Sequence, residues 1–309
     1  MNAFTNIILF FIVLFLYIHI VHQFKRSEDL EIYEMDYSTN QHLQEVCDIK
    51  QPVLFQYQTV YPEFFEKINE ETIRQQNYPY DVKVKDIQDY WKNEMTVDPL
   101  LLPFQSAQTL IESDTKSNYF SENNHEFIEE SGIIMQFQEN NDYLKPNFTI
   151  QTKYDLQFAS KDCITPLQYH TNYRYFICVN SGKIRIKMTP WKSKKYLHII
   201  KDYDNYEFRS PINVWKPQSE YMNDMEKLKF LEFDILAGNV LYIPAYWFYS
   251  IQYCDSKTFI TGFTYISIMN SIVNIPNYTL YFLQQQNIQK KITKTVTFED
   301  ETNTKEENE

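Results

Sequence analysis

Few residues in this chain are equipped to bind a metal or move a proton, and most of them stand alone. The 309 residues include six histidines and four cysteines. Cys47, Cys163, Cys178 and Cys254 show neither a CxxC pair nor any other metal-ligand spacing. An even count would permit two disulfides, but cysteines this sparse in a large domain are more often buried free thiols. His42, His125 and His198 are isolated and read as surface residues. There is no HExxH, and no serine or cysteine has a convincing histidine partner. The glycines (132, 182, 238, 262) are too scattered to cradle a phosphate. Carboxylate pairs such as Glu129-Glu130 fall on a helical surface. What remains is His170, set between two amides, Gln168 and Asn172, and a row of cations that follows it.

In that row the side chains alternate as on a strand. Ile184, Ile186 and Met188 share one face, while Lys183, Arg185 and Lys187 share the other. The apolar face belongs inside and the basic face outside. The basic row continues through Trp191, Lys192, Lys194 and Lys195. It reads as a solvated surface or, more sharply, as an anion-binding patch facing anionic lipid.

Two longer phrases carry a resemblance. Thr165–Pro190, TPLQYHTNYRYFICVNSGKIRIKMTP, reads as a strand, a turn and a second strand ending in Pro190. The other is Gly238–Ile251, GNVLYIPAYWFYSI. Together they resemble the two signature segments of the cupin-like JmjC family. The resemblance implies a mostly β architecture with flanking helices (α+β), built on a cupin-like double-stranded β-helix, or jelly-roll, barrel. In that family a His-x-Asp pair in a phrase like TPLHYD, and a distal His closing a phrase like GDxLYIPxxWWH, hold Fe(II). The open coordination positions take 2-oxoglutarate and O₂.

Carried over residue by residue, Gln168 and His170 stand at the His and Asp positions. Tyr249 stands at the distal His, and Asn239 replaces the usual Asp. Slipping the match by two makes His170 and Asn172 the pair instead. The lysine that grips 2-oxoglutarate corresponds to Ile184, or to Lys183 if a bulge turns it inward. Tyr242 and Trp247 belong to the retained pocket frame. An amide, an imidazole and a phenol do not make a facial triad. The resemblance therefore implies a barrel that has lost iron and 2-oxoglutarate and acts as a binding or scaffolding module. The alternative is a 2-oxoglutarate/Fe(II)-dependent hydroxylase or demethylase with an altered ligand set. A third reading is a structural protein of the membrane surface.

The elements that must position these residues follow from the rest of the chain. Phe and Tyr are abundant (23 and 25) and Gly is scarce (4), which leans towards β-structure but also arises from AT-rich coding sequence. A formal charge of −12 argues against a nucleic-acid binder. Ala3 to Val21 is one apolar run whose nineteen residues, at ~1.5 Å each, span roughly 28 Å, close to a bilayer's hydrocarbon thickness. With no basic residue before it and no small-residue cleavage site after it, it reads as a retained single-pass anchor at 3–22. Lys25 and Arg26 follow it, placing the main domain on the cytoplasmic side. The sequons at Asn147 and Asn277 would be glycosylated only on the other side.

After a linker at 23–36, the cupin-like domain is expected over 37–289, with a disordered charged tail from 290 to 309. Within it, Tyr37 to Val46 reads as a helix and Pro52-Val-Leu-Phe as a strand. Helical spacing recurs over Pro62 to Gln76 and over Val82 to Glu94, and Ser121 to Glu130 offers a capped start and mixed charge. Trp191 to Lys229 reads as a polar insertion, and the apolar segment Tyr278-Thr-Leu-Tyr-Phe-Leu as a helix for packing or dimerisation.

Overall fold

Runs rich in Tyr, Phe, Ile and Thr form the longer strands from Thr149 onwards, some alternating and some buried almost throughout. The computed structural model describes residues 3–76, 78–92 and 95–286. It is α+β, with two large, mostly antiparallel sheets, neither closed on itself, and an apolar N-terminal helix. The charged tail expected from 290 onwards lies outside the described residues.

Helix α1 (Ala3–Phe24) is long and apolar enough to cross a bilayer, and none of its residues is buried. Then come β1 (Tyr33–Met35), α2 (Asn40–Cys47) and β2 (Val53–Gln56). Thr39 caps α2 by accepting the His42 N–H at 3.2 Å. Two short helices follow, α3 (Pro62–Lys67) and α4 (Glu70–Gln75). The single helix expected here is interrupted because Asn69 and Thr72 form a reciprocal capping box that starts α4 afresh.

Next are β3 (Asp81–Asp86), β4 (Leu100–Pro103), α5 (Phe104–Ser113) and β5 (Tyr119–Ser121). The helix expected over 82–94 is instead β3 followed by a 3₁₀ turn, Ile87–Trp91. The alternation of Val82 and Val84 with Lys83 and Lys85 outweighs the i, i+4 spacing of Ile87 and Trp91. Helices α6 (His125–Glu130), α7 (Ile134–Gln138) and α8 (Asn141–Leu144) lead into β6 (Thr149–Ala159), β7 (Gln168–Tyr169), β8 (Arg174–Ser181) and β9 (Lys183–Thr189).

The expected insertion after Trp191 is not set apart from the fold. It supplies β10 (Ile200–Asp202) and β11 (Glu207–Arg209) to a sheet, besides the short α9 (Met222–Met225). The chain ends in β12 (Leu231–Leu236), β13 (Asn239–Tyr242), β14 (Phe248–Tyr253), β15 (Phe259–Ser267) and α10 (Ile268–Gln285). Helix α10 starts ten residues before Tyr278 and runs through Pro276.

The nine-stranded sheet has the order β1-β2-β13-β8-β15-β6-β5-β3-β4, and the six-stranded sheet β10-β11-β7-β14-β9-β12. One buried cluster joins them, combining Tyr175, Ile177 and Val179 of β8 with Ile184, Ile186 and Met188 of β9 and Ile251 of β14. A second fills the space between the nine-stranded sheet and helices α2 to α7. A third, rich in aromatics, lies on the outer face of β7, β11 and β14 around Tyr169, Phe208 and Phe248. None of the four cysteines is bonded to another, and Cys47, Cys163 and Cys178 are buried.

Candidate functional site

Strands β7 and β14 meet at one pair of opposed residues, Gln168 and Tyr249. On antiparallel strands such a pair shares a face, and here it is the face between the sheets. His170 follows two residues after Gln168, its ring centroid 6.4 Å from that of Tyr249 and 5.0 Å from that of Tyr175. The fold therefore assembles the three residues singled out from distant parts of the sequence.

What they do there is bond to the protein. The backbone N–H of Asn172 donates to His170 Nδ1 at 3.2 Å, so Nε2 carries the proton and donates to the Ile243 carbonyl at 2.9 Å. Burial lowers the imidazole to about 4, against the upward pull of that carbonyl, so the ring is neutral near pH 7. Gln168 Nε2 donates to Glu122 Oε2 at 3.3 Å. Burial, with Tyr175 and Glu122 close by, pushes the Tyr249 hydroxyl well above its usual range, so it stays a phenol.

The group nearest these residues is a set of buried charges. Lys85, on β3, sends its ammonium to Glu122 Oε1 at 3.0 Å and to Glu207 Oε1. Tyr90 donates to Glu207 Oε2 at 3.2 Å, and the Arg209 guanidinium lies 5.0 Å from the centre of the Tyr90 ring. Arg209 also faces Asp202 at 3.5 Å. Burial alone would lower the Lys85 ammonium, but the Glu122 and Glu207 carboxylates outweigh it and hold the group well above its ordinary range. Burial raises the Glu122 carboxyl, with Lys85 pulling it back down. A second polar chain adjoins this one, in which Gln157 Nε2 donates to Asp155 Oδ2 at 2.7 Å and to Tyr175 Oη at 3.0 Å.

The remaining singled-out residues divide between the two sides of the sheets. Ile184 points inward with Ile186 and Met188, all fully buried in the inter-sheet cluster. Lys183 lies on the outer row, paired with Asp234 at 2.6 Å, so no bulge turns it inward. Arg185 pairs with the same Asp234 at 2.7 Å, and Lys187 sits 4.5 Å over the Trp215 ring. Trp247 is buried between the sheets. Tyr242, expected beside it, lies on the opposite face of the nine-stranded sheet and packs on Phe176 at 5.4 Å. Leu241 and Ile243 face inward in its place, because successive residues of β13 alternate.

Among the described residues, no group of three or more His, Cys, Asp and Glu side chains could hold a metal ion. The residues that the resemblance sets at iron positions do not fit iron as they are bonded here. Both imidazole nitrogens are taken by backbone groups, the phenol is protonated and the amide donates away. Glu122, which accepts from Gln168, is itself engaged by the Lys85 ammonium. No family model matches the chain, and no curated protein matches it either.

The sequence reading missed Lys85, Glu122, Glu207 and Arg209. One signal was available, since Lys85 and Lys83 alternate with Val82 and Val84, and Glu207 and Arg209 flank Phe208. Nothing local says that the cations and carboxylates face each other.

Proposed function

We propose that this chain is a membrane-anchored protein of the cupin-like, JmjC-related kind. Its barrel has given up iron and 2-oxoglutarate and serves as a binding or scaffolding module for a protein partner. The strand order supports the fold half of this reading. Strands β13-β8-β15-β6 are neighbours in one sheet and β7-β14-β9-β12 in the other, an order compatible with two facing four-stranded halves of a jelly roll. The carrying observation for the functional half is His170, whose two ring nitrogens both bond to backbone and leave no lone pair for a cation. Ile184, at the position of the cosubstrate lysine, offers no charge to a dicarboxylate. In this reading helix α1 is a retained anchor, and Lys25 and Arg26 behind it favour a cytoplasmic domain.

The test is metal analysis of the full chain, purified in detergent and incubated anaerobically with Fe(II) and 2-oxoglutarate. The expected result is no stoichiometric iron and no calorimetric signal from 2-oxoglutarate. One equivalent of iron that disappears in His170→Ala would reverse the reading in favour of an oxygenase with altered ligands.

A further inference from the structure

Helix α10 is amphipathic the wrong way round for a helix in water. A surface helix normally turns its apolar stripe to the core and its polar face to solvent. In α10 the inward side is built of amides together with Tyr278 and Tyr281, whose rings pack on Tyr206 at 5.6 Å. Asn270 and Asn274 are buried and both donate to the Thr171 carbonyl, at 2.8 and 3.2 Å. Asn277 accepts from the Tyr203 hydroxyl at 3.1 Å, and Gln285 Nε2 donates to the Asp204 carbonyl at 2.8 Å. The outward stripe is apolar. Ile268, Ile272, Ile275, Thr279 and Phe282 recur at steps of four, three, four and three, which keeps them on one side of the helix. Ile275, Phe282 and Leu283 are 56%, 61% and 58% exposed, and α10 contains no charged residue.

The neighbour of this helix indicates what covers the stripe. Helix α1 packs against α10, and on α1 the partly covered residues are Leu16, His19, Ile20 and Gln23, one face of its last two turns. A helix touching the end of a membrane span lies at the depth of that end. The exit from the span is also clamped to the domain. Arg26 lies 4.6 Å from the Trp191 ring centre and 4.2 Å from that of Tyr246, and Lys192 Nζ donates to the Glu28 carbonyl at 2.7 Å. The domain therefore cannot swing away from the bilayer on a loose tether.

We infer that α10 is a second membrane element, an interfacial helix whose Ile275–Phe282–Leu283 side is immersed in the acyl-chain boundary of the bilayer that α1 crosses. It rests on the proposal that α1 is a membrane anchor. Amphipathic helices of this length lie in the membrane plane with the apolar face about 5–10 Å deep. The amide face then bonds the domain to the helix, and the helix sets the height and tilt of the domain above the lipid.

The test uses the full chain in phosphatidylcholine vesicles, in a Cys254→Ser background because the other cysteines are buried. An environment-sensitive fluorophore is placed at Phe282→Cys, with Phe11→Cys in α1 as the span reference and Lys116→Cys, in the loop before β5, as the solvent reference. Doxyl-labelled lipid reports contact with acyl chains, and iodide reports contact with water. The proposal expects the Phe282 label to be blue-shifted, quenched several-fold by doxyl lipid and shielded from iodide, as at Phe11. A Phe282 label quenched by iodide like Lys116, with Phe11 still lipid-quenched, overturns the inference and leaves the anchor standing. If Phe11 also escapes doxyl quenching, the anchor reading itself has failed. Shielding of Phe282 from both quenchers overturns the inference in favour of a second copy covering the stripe.

Discussion

Lys85 is buried and holds two buried carboxylates, Glu122 and Glu207. Removing one member of such a group leaves uncompensated charge in a poorly hydrated place, at a cost of about 3–5 kcal/mol, whereas neutralising the whole group is often tolerated. Lys85→Met is therefore expected to lower unfolding stability by about 3–5 kcal/mol. The triple variant with Glu122→Gln and Glu207→Gln should recover most of that loss. Urea titrations followed by tryptophan fluorescence measure both, and a Lys85→Met protein as stable as the parent would show that these charges do not depend on each other.

His170 predicts a pH effect. Its folded value, about 4, lies below the ordinary imidazole value of 6.5, so between these limits the folded state binds fewer protons than the unfolded. The contribution is complete above 6.5 and is lost as pH falls towards 4. Each pH unit is worth about 1.4 kcal/mol. Allowing for the partial accessibility of the ring, about 1–2 kcal/mol should vanish over that window relative to His170→Gln. The buried carboxyls of Glu122, Asp155 and Asp202 titrate in both proteins and cancel in the comparison. Parallel stability curves for the two proteins from pH 7 to 4 would rule the effect out.

At the scale of elements, the turn between β8 and β9 sets the register that brings Ile184 inward. Gly182 sits there at φ +72°, and a Cβ would stand 2.5 Å from Thr258 Oγ1 and 2.8 Å from Thr258 Cα. Gly132 has nearly the same φ, +76°, with nothing within 4 Å. Both positions strain an L residue, but only the first also collides with backbone that cannot move aside. Gly132→Ala should cost about 1 kcal/mol and Gly182→Ala about 2–3 kcal/mol or more. Equal losses in parallel denaturation curves would mean that strain alone matters and the contact with Thr258 does not.

Elements were unevenly legible. The alternation in Lys183–Met188 was readable because one strand face is fully buried, and the helix expected over Tyr37 to Val46 is α2, which starts only after its Thr39 cap. The first strand of the charged site, β3, lies in a span whose i, i+4 spacing predicts a helix. Its alternation, Val82, Lys83, Val84, Lys85, carries a buried lysine where a polar residue normally marks the exposed face.

For the whole molecule, the orientation across the membrane is testable through Asn147, which lies exposed before β6. A cytoplasmic domain never meets the glycosylation machinery. The chain expressed in mammalian cells should therefore show no endoglycosidase-sensitive mass, identical to Asn147→Gln. A shift that Asn147→Gln removes would place the domain on the luminal side. Asn277 is a poorer reporter, because it sits inside α10 with its side-chain oxygen bonded to Tyr203.

By itself the sequence determined what depends on neighbours along the chain. That covers the apolar length of α1, the inward isoleucines of β9, the amide, imidazole and phenol carried by Gln168, His170 and Tyr249, and the excess of negative charge. Only the tertiary structure decided what occupies the space beside those three residues. Lys85 meets Glu122 and Glu207 from 37 and 122 residues away, and no local period encodes pairings at that distance. It also decided which side of α10 faces outward. An amphipathic period specifies two faces, and only the partners at Thr171, Tyr203 and Asp204 show that the amides, not the isoleucines, were turned towards the protein.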